Sequence, residues 1–154
     1  KATLIPGVKD FLVSAQKKGI KIFYVTNRRT VYEEATKNNI KKLGLPFDDD
    51  IDVLLTRGEN GWGSSKASRR SHVSRDHRVI MMFGDNLNDF FDLPEKADYV
   101  TRKDNVLKYE NIWGNRWFML ANPVYGHWEQ SIYGFELLDE ESKTKAKLEN
   151  IRVN

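Results

Sequence analysis

Two aspartates follow an apolar stretch near the middle of the chain and offer the clearest chemistry in the sequence. Asp85 and Asp89 come after the apolar run 79–83 and Gly84. The run has the length of a buried strand, and open α/β sheets place ligand chemistry beyond the carboxyl ends of such strands. Two carboxylates on one turn suit Mg²⁺, which prefers oxygen ligands. A strand followed by a solvated Asx turn explains this stretch equally well.

A second candidate pair, Thr26 and Asn27, follows the β-branched and aromatic run 20–25. A hydroxyl and exposed backbone N–H groups at a junction between a strand and a helix can donate hydrogen bonds to a phosphate oxygen. A helix-entry turn made of small polar side chains would give the same pattern. The pair therefore predicts a phosphate contact only in combination with other residues.

Lys66 is the third candidate, since it lies at the start of a predicted helix over residues 65–75. Its charge adds to the positive end of the helix dipole, and a bound anion would compensate for that placement. A solvated lysine is the alternative, and Arg69 and Arg70 lie within one turn of Lys66. Paired carboxylates near a phosphate would repel it unless a cation lay between them. The order of hydroxyl, lysine and paired carboxylates therefore predicts phosphate chemistry with a divalent metal.

The elements that would position these residues alternate between strands and helices. The predicted helices span about residues 7–18, 31–43, 65–75 and 140–152, and the predicted strands span residues 20–25, 51–55, 78–83, 99–100 and 117–120. Thr30 and Glu33 have the spacing of a capping box, and residues 125–129 are expected to form an aromatic loop. The alternation indicates an α/β fold with a parallel sheet, in a chain of 154 residues that has the size of one domain.

Composition excludes several classes of protein and leaves one alternative. The sequence contains no cysteine, which excludes disulfides, thiolate metal sites and a cysteine nucleophile within it. No apolar run reaches the about 20 residues that a membrane-spanning helix needs. The formal net charge is only +3, but basic residues cluster locally at Arg69, Arg70, Arg75 and Arg78. A basic nucleic-acid-binding module is therefore an alternative, although such modules usually carry more charge.

Four segments together resemble a known family. Residues 23–28, 64–70 and 83–90 are similar to the second, third and fourth motifs of the haloacid-dehalogenase (HAD) superfamily, and most similar to those of the class C acid phosphatases, the bacterial lipoprotein acid phosphatases. Residues 120–129 resemble the Asn-Pro-x-Tyr-Gly-x-Trp-Glu segment of the same family. The resemblance implies a Rossmann-like α/β fold, with a parallel sheet flanked by helices. It also implies that residues 1–154 form the C-terminal portion of one phosphatase domain.

The same resemblance implies a Mg²⁺-dependent acid phosphatase that hydrolyses phosphomonoesters through an aspartyl-phosphate intermediate. By this resemblance Thr26 would hydrogen-bond the phosphoryl group and Lys66 would neutralise it. Asp85 would bind Mg²⁺ directly, and Asp89 would act as a second metal ligand or hold Lys66 or a metal-bound water.

The substrates implied by the resemblance are small phosphomonoesters that include 5′-nucleotides. Thr26, Asn27 and Lys66 would bind the phosphate end. Tyr125 and Trp128 would stack on a base or another ring, unless they serve only in packing. The resemblance further implies a location at the bacterial cell envelope, in the outer membrane or periplasm, or secretion.

One expected motif is missing from the sequence. The family's first motif, Asp-x-Asp, supplies the nucleophile and the general acid, and nothing before Pro6 resembles it. The acidic run 48–52 precedes a different strand and is interpreted as a polar loop. We therefore expect the nucleophile, and a central strand between residues 20–25 and 78–83, to lie upstream of this chain. The alternative is a non-catalytic fragment or degenerate relative that binds phosphate ligands without turnover.

Overall fold

The computed structural model describes residues 3–122 and 124–151, in two compact units that meet in the sequence at residues 77 and 78. The first unit contains α1 (Val8–Lys17), β1 (Tyr24–Arg29), α2 (Glu33–Lys42), β2 (Leu54–Asn60) and α3 (Ala67–Asp76). The second contains β3 (Met82–Gly84), α4 (Tyr99–Lys108), β4 (Trp117–Met119), α5 (His127–Ile132) and α6 (Glu140–Glu149). No helix in the described ranges has both the length and the apolar character to cross a membrane.

The sheet of the first unit pairs β1 with β2 in parallel. Tyr24 lies opposite Leu54 and Val25 opposite Leu55, and an irregularity then shifts the register before Arg29. The first half of β2 is the most deeply buried segment of this unit, and its side chains at Leu54 and Leu55 are almost completely inaccessible. Of the strand predicted at residues 51–55, only residues 53–55 lie in the core, as expected for a strand buried on both faces, and β2 begins at Leu54 and extends to Asn60.

β1 begins later than predicted, at Tyr24 rather than at residue 20. Its first ladder bond runs from Tyr24 N to Val53 O at 2.7 Å. Among the described residues β1 pairs only with β2, so the residues before Tyr24 have no neighbouring strand to bond. Thr26 and Asn27 consequently lie within the strand, at the irregularity, rather than after its end.

The predicted capping box at Thr30 and Glu33 is wrong. Residues Thr30–Tyr32 form a short 3₁₀ turn before α2. The Thr30 hydroxyl instead lies 3.1 Å from the Thr56 hydroxyl, which also donates to Glu33 Oε2 at 3.2 Å. Both side chains are drawn towards β2 because Thr56 is completely buried and its hydroxyl needs partners.

The second unit pairs β3 with β4 in parallel, with Met82 opposite Trp117 and Gly84 opposite Met119. β3 covers only the end of the strand predicted at residues 78–83. The core is aromatic: Phe90 packs edge-on against Trp113 with ring centroids 4.9 Å apart. Parallel strands flanked by helices in both units confirm the predicted α/β fold class.

Two predictions in the second unit are wrong. Residues 99–100 begin α4 rather than form a strand, because the Asp98 carboxylate caps the helix by accepting a hydrogen bond from Thr101 N at 2.8 Å. The aromatic loop predicted at residues 125–129 is helical from His127 onwards. The terminal helix predicted over residues 140–152 is present but ends at Glu149, and residues 152–154 lie outside the described residues.

Candidate functional site

Thr26 and Asn27 form a compact turn within β1. Thr26 is half-buried, and its hydroxyl oxygen accepts a hydrogen bond from Arg28 N at 3.2 Å. The hydroxyl hydrogen therefore remains available as a donor. Asn27 is exposed, but its side-chain oxygen accepts a hydrogen bond from Arg69 Nη2 at 2.7 Å. The side-chain oxygen of Asn27 is thus engaged, and its side-chain amide hydrogens can still donate to the substrate, as the sequence predicts.

Arg69 is the residue that organises this turn, although the sequence analysis treated it as a rival of Lys66. Its side chain is 0% exposed and donates to the backbone carbonyls of Thr26, at 2.5 Å, Gly63, at 3.1 Å, and Ser65, at 3.0 Å. One guanidinium therefore ties the turn of β1 to the loop that precedes α3. Because Arg69 is inaccessible, it cannot contact nucleic acid, which weakens the alternative of a basic binding surface.

Lys66 occupies the predicted place at the start of α3, where it is the residue that precedes the first helical turn. Its side chain is half-buried. The Ser65 hydroxyl accepts a hydrogen bond from Ala67 N at 3.1 Å, and the Lys66 carbonyl accepts one from Arg70 N at 2.9 Å. The ammonium group is thus carried on a backbone that Arg69 fixes on one side and α3 on the other.

The Asp89 carboxylate faces the backbone of its own turn. Asp89 Oδ2 accepts hydrogen bonds from Asp85 N at 3.1 Å and from Asn86 N at 3.2 Å. Asn86 Oδ1 accepts in return from Asn88 N at 3.2 Å, which completes a capping box. A Cβ at Gly84 would lie only 2.6 Å from Asp89 Oδ2, so this closure requires a glycine before Asp85.

Asp85 differs from Asp89 because its carboxylate is exposed and points away from the turn. Asp85 Oδ2 accepts a hydrogen bond from Asn122 Nδ2 at 2.7 Å, whereas Oδ1 has no hydrogen-bond partner in the described part of the chain. The Asn122 side chain is itself held, because its oxygen accepts from Val124 N at 3.2 Å. Asn122 therefore orients Asp85, a role that sequence reasoning missed although the residue lies in one of the resembling segments.

These residues fit a hydrated hard cation better than a closed metal site. Mg²⁺ keeps several waters and is commonly held by one or two carboxylates. Asp85 offers one exposed oxygen, and Asp89 lies on the same turn but is engaged by two backbone N–H groups. Within the described ranges, no group of three or more His, Cys, Asp or Glu side chains clusters as a metal site would. Of the two predicted metal ligands, Asp85 is therefore better placed than Asp89 to bind a cation directly.

The predicted aromatic contacts also differ from one another. Tyr125 is 71% exposed and its ring is accessible to a ligand. Trp128 is partly buried, and its indole Nε1 is a buried donor without a hydrogen-bond partner among the described residues. A Cβ at Gly126 would lie 3.2 Å from the Trp128 ring, and Gly126 has φ 150°. Both observations explain why a glycine stands before this part of α5.

His127 joins α5 to the aspartate turn. Its Nδ1 lies 3.1 Å from Asn86 Nδ2, which donates to it, so the remaining ring proton resides on Nε2. Burial lowers the pKa of His127, and the nearby positive charge of Arg102 lowers it further. Burial and Arg102 therefore favour the neutral form of His127 over the effect of the Glu95 and Asp89 carboxylates, which raise its pKa.

The structure thus assembles the candidate residues within two separate groups. Thr26, Asn27 and the backbone that carries Lys66 are joined through Arg69 in the first unit. Asp85 and Asp89 share one turn in the second unit, where Asn86 and His127 connect that turn to α5.

Comparison with known proteins gives a consistent result. Residues 1–128 match the family model of the HAD superfamily, subfamily IIIB (acid phosphatase). Among solved structures, the class C acid phosphatase from Bacillus anthracis is similar at 29% sequence identity with a TM-score of 0.82, and so is the same enzyme with tungstate bound. Each match covers 97% of this chain but 62% of the Bacillus protein, so the chain spans less than two thirds of the length of these relatives.

Proposed function

Because the chain belongs to the acid phosphatases of HAD subfamily IIIB, we propose that it is part of a Mg²⁺-dependent phosphomonoesterase. The observation that carries the proposal is the turn at residues 84–89, which turns Asp89 inwards and leaves one Asp85 oxygen exposed. An exposed carboxylate that a neighbouring amide orients is suited to a hydrated divalent cation. Members of the superfamily generally use such a metal.

In the proposed site each residue takes the role that the family resemblance implies. The Thr26 hydroxyl donates a hydrogen bond to a phosphoryl oxygen, and the Lys66 ammonium neutralises its charge. Asp85, supported by Asp89, holds Mg²⁺, which when bound withdraws charge from the phosphoryl oxygens. Phosphoryl transfer depends mainly on such positioning and charge stabilisation. The tungstate held by the Bacillus relative is a tetrahedral oxyanion of similar shape to phosphate.

We place the nucleophile upstream of residue 1, on a segment that the longer relatives have room to contain. An aspartate oxygen would attack phosphorus as the bond from phosphorus to the ester oxygen breaks, and the general acid of the same motif would protonate that oxygen. Water would then cleave the aspartyl-phosphate, which releases inorganic phosphate and restores the aspartate.

The proposed substrates are small phosphomonoesters, with 5′-nucleotides as a specific candidate. The exposed ring of Tyr125 could stack on a base, as such rings do in nucleotide sites. The family resemblance alone supports a location at the bacterial envelope or outside the cell, which cell fractionation would test.

Release of inorganic phosphate from phenyl phosphate by the full-length protein, which would include the upstream nucleophile, tests the proposal. We expect release that needs Mg²⁺, is abolished by a chelator and falls by about a hundredfold or more in Asp85→Asn. The matched control is Asp104→Asn, which removes the same charge from an exposed position on α4 and should keep activity within about twofold. Phosphate binding without any release would favour a non-catalytic phosphate-binding protein, and equal activity of Asp85→Asn and Asp104→Asn would refute the assigned metal ligand.

A further inference from the structure

A cavity of about 980 Å³ lies within the second unit, between α4, α5 and the end of β4. Its volume is in the range of small-molecule binding sites, which are mostly apolar with a few polar groups. The polar groups here include Asp85, Asn86, Asn122 and Arg102. The walls are largely apolar, with contributions from Val106, Met119, Leu120 and Ile132.

Arg102 is the unusual member of this lining. The residue is only 7% exposed, and burial lowers the pKa of its guanidinium. Its backbone N–H bonds Asp98 O at 3.0 Å in the first turn of α4. Its guanidinium, however, forms no hydrogen bond or ion pair with any residue in the described ranges.

A largely buried guanidinium without a partner is unfavourable for folding, because the charge loses part of its hydration without gaining a counter-charge. His127 cannot supply the missing negative charge, because its ring is either neutral or positive. The positive charge of Arg102 lowers the pKa of His127 and so disfavours its charged form. Arginine offers a planar fork of donors that matches the two oxygens of a carboxylate or phosphate. The cavity therefore presents a positive group in a mostly apolar setting, and neither Asp85 nor Asp98, which also line it, forms an ion pair with Arg102.

We infer that Arg102 binds an oxyanion on the leaving group of the substrate, so that the preferred substrates are phosphomonoesters that carry a second anionic group on an organic body. This inference rests on the proposed function, because Asp85 lines the same cavity and places the phosphoryl end there. The apolar walls accommodate the organic part between the two charged ends. Free inorganic phosphate is the other source of an oxyanion, and binding measurements separate the two.

Isothermal titration calorimetry with two phosphonates that cannot be hydrolysed tests the inference directly. The probes are benzylphosphonate and 4-carboxybenzylphosphonate, each with Mg²⁺ present. We expect the protein to bind the carboxylated probe about tenfold or more tightly, and Arg102→Gln to lose this preference. The matched control is Lys108→Gln, which removes the same charge from an exposed position near the end of α4 and should retain the preference.

Several results would overturn the inference. They are equal binding of the two probes by the unmodified protein, no binding of the carboxylated probe, or an unchanged preference in Arg102→Gln. A last outcome assigns Arg102 to free phosphate instead. In that outcome the protein binds inorganic phosphate only when Arg102 is present, and the carboxylate of 4-carboxybenzylphosphonate does not increase its affinity.

Two further measurements keep the test decisive. If circular dichroism shows that Arg102→Gln does not fold, Arg102→Lys replaces it in the test. Lysine keeps the positive charge but lacks the planar fork of donors, so the preference for the carboxylated probe should fall severalfold. An unchanged preference in Arg102→Lys contradicts the inference. Hydrolysis of phenyl phosphate by the full-length protein distinguishes a failure of the proposed function from a failure of the role of Arg102. Hydrolysis without any preference between the probes refutes only the role of Arg102, whereas a preference that needs Arg102 without hydrolysis refutes the proposed function.

Discussion

Replacing Arg69 by methionine should separate the turn of β1 from the loop before α3. Methionine fills a similar volume but removes every donor that reaches Thr26 O, Asn27 Oδ1 and the loop carbonyls. Hydrogen bonds from a charged donor contribute about 1.5–3 kcal/mol each. The loop residues Gly63 and Ser65 are exposed, so water can replace some of these bonds. We therefore expect a loss of about 3–5 kcal/mol in the free energy of unfolding.

Urea denaturation followed by circular dichroism measures this loss. The matched control is Arg75→Met on the same helix, where Arg75 is exposed and the change should stay within about 0.5 kcal/mol. Because most domains are stable by only about 5–15 kcal/mol, the two variants should differ clearly. A loss below about 1 kcal/mol for Arg69→Met would refute the view that Arg69 organises this part of the site.

Two further predictions concern the aspartate turn and the first sheet. Gly84→Ala should lower the melting temperature and weaken Mg²⁺ binding measured by calorimetry, because the added methyl group would lie 2.6 Å from Asp89 Oδ2; unchanged values would show that the turn tolerates the methyl group. Burial raises the pKa of Tyr24 from 10.0 to about 12, so its contribution to stability should be complete below pH 10 and lost as the pH rises towards 12. Denaturation across that range should show a smaller loss in Tyr24→Phe, and identical profiles would contradict the assignment.

The sequence predicts the fold class well because its signals are local and strong. The run at residues 51–55 is apolar enough to identify the buried core strand, and Gly19 and Gly44 mark helix ends where the backbone needs positive φ. The prediction of a strand at residues 99–100 is wrong because the β propensity of two residues stabilises a strand less than the Asp98 cap stabilises the start of α4. The late start of β1 depends on which strand lies beside it, and residue types alone do not encode that neighbour.

The sequence names candidate site residues but not their orientations. Spacing, residue type and the family resemblance point together to Thr26, Lys66 and Asp85, although each residue taken alone has a purely structural alternative. The burial of Arg69 is not predictable from α3, whose sequence is rich in arginine and has no wide apolar face. Tertiary hydrogen bonds alone distinguish Arg69 from its exposed neighbours. The inward orientation of Asp89 likewise follows from the capping box and not from its spacing to Asp85.

The proposed roles of Thr26, Lys66 and Asp85 are best tested by a crystal structure of the protein with Mg²⁺ and tungstate. Anomalous scattering locates the tungsten independently of the protein. We expect the oxyanion within hydrogen-bond distance of the Thr26 hydroxyl and the Lys66 ammonium, with Mg²⁺ bound by an Asp85 oxygen beside it. Tungstate bound away from Thr26 and Lys66, or a cation bound without Asp85, would contradict the proposed site.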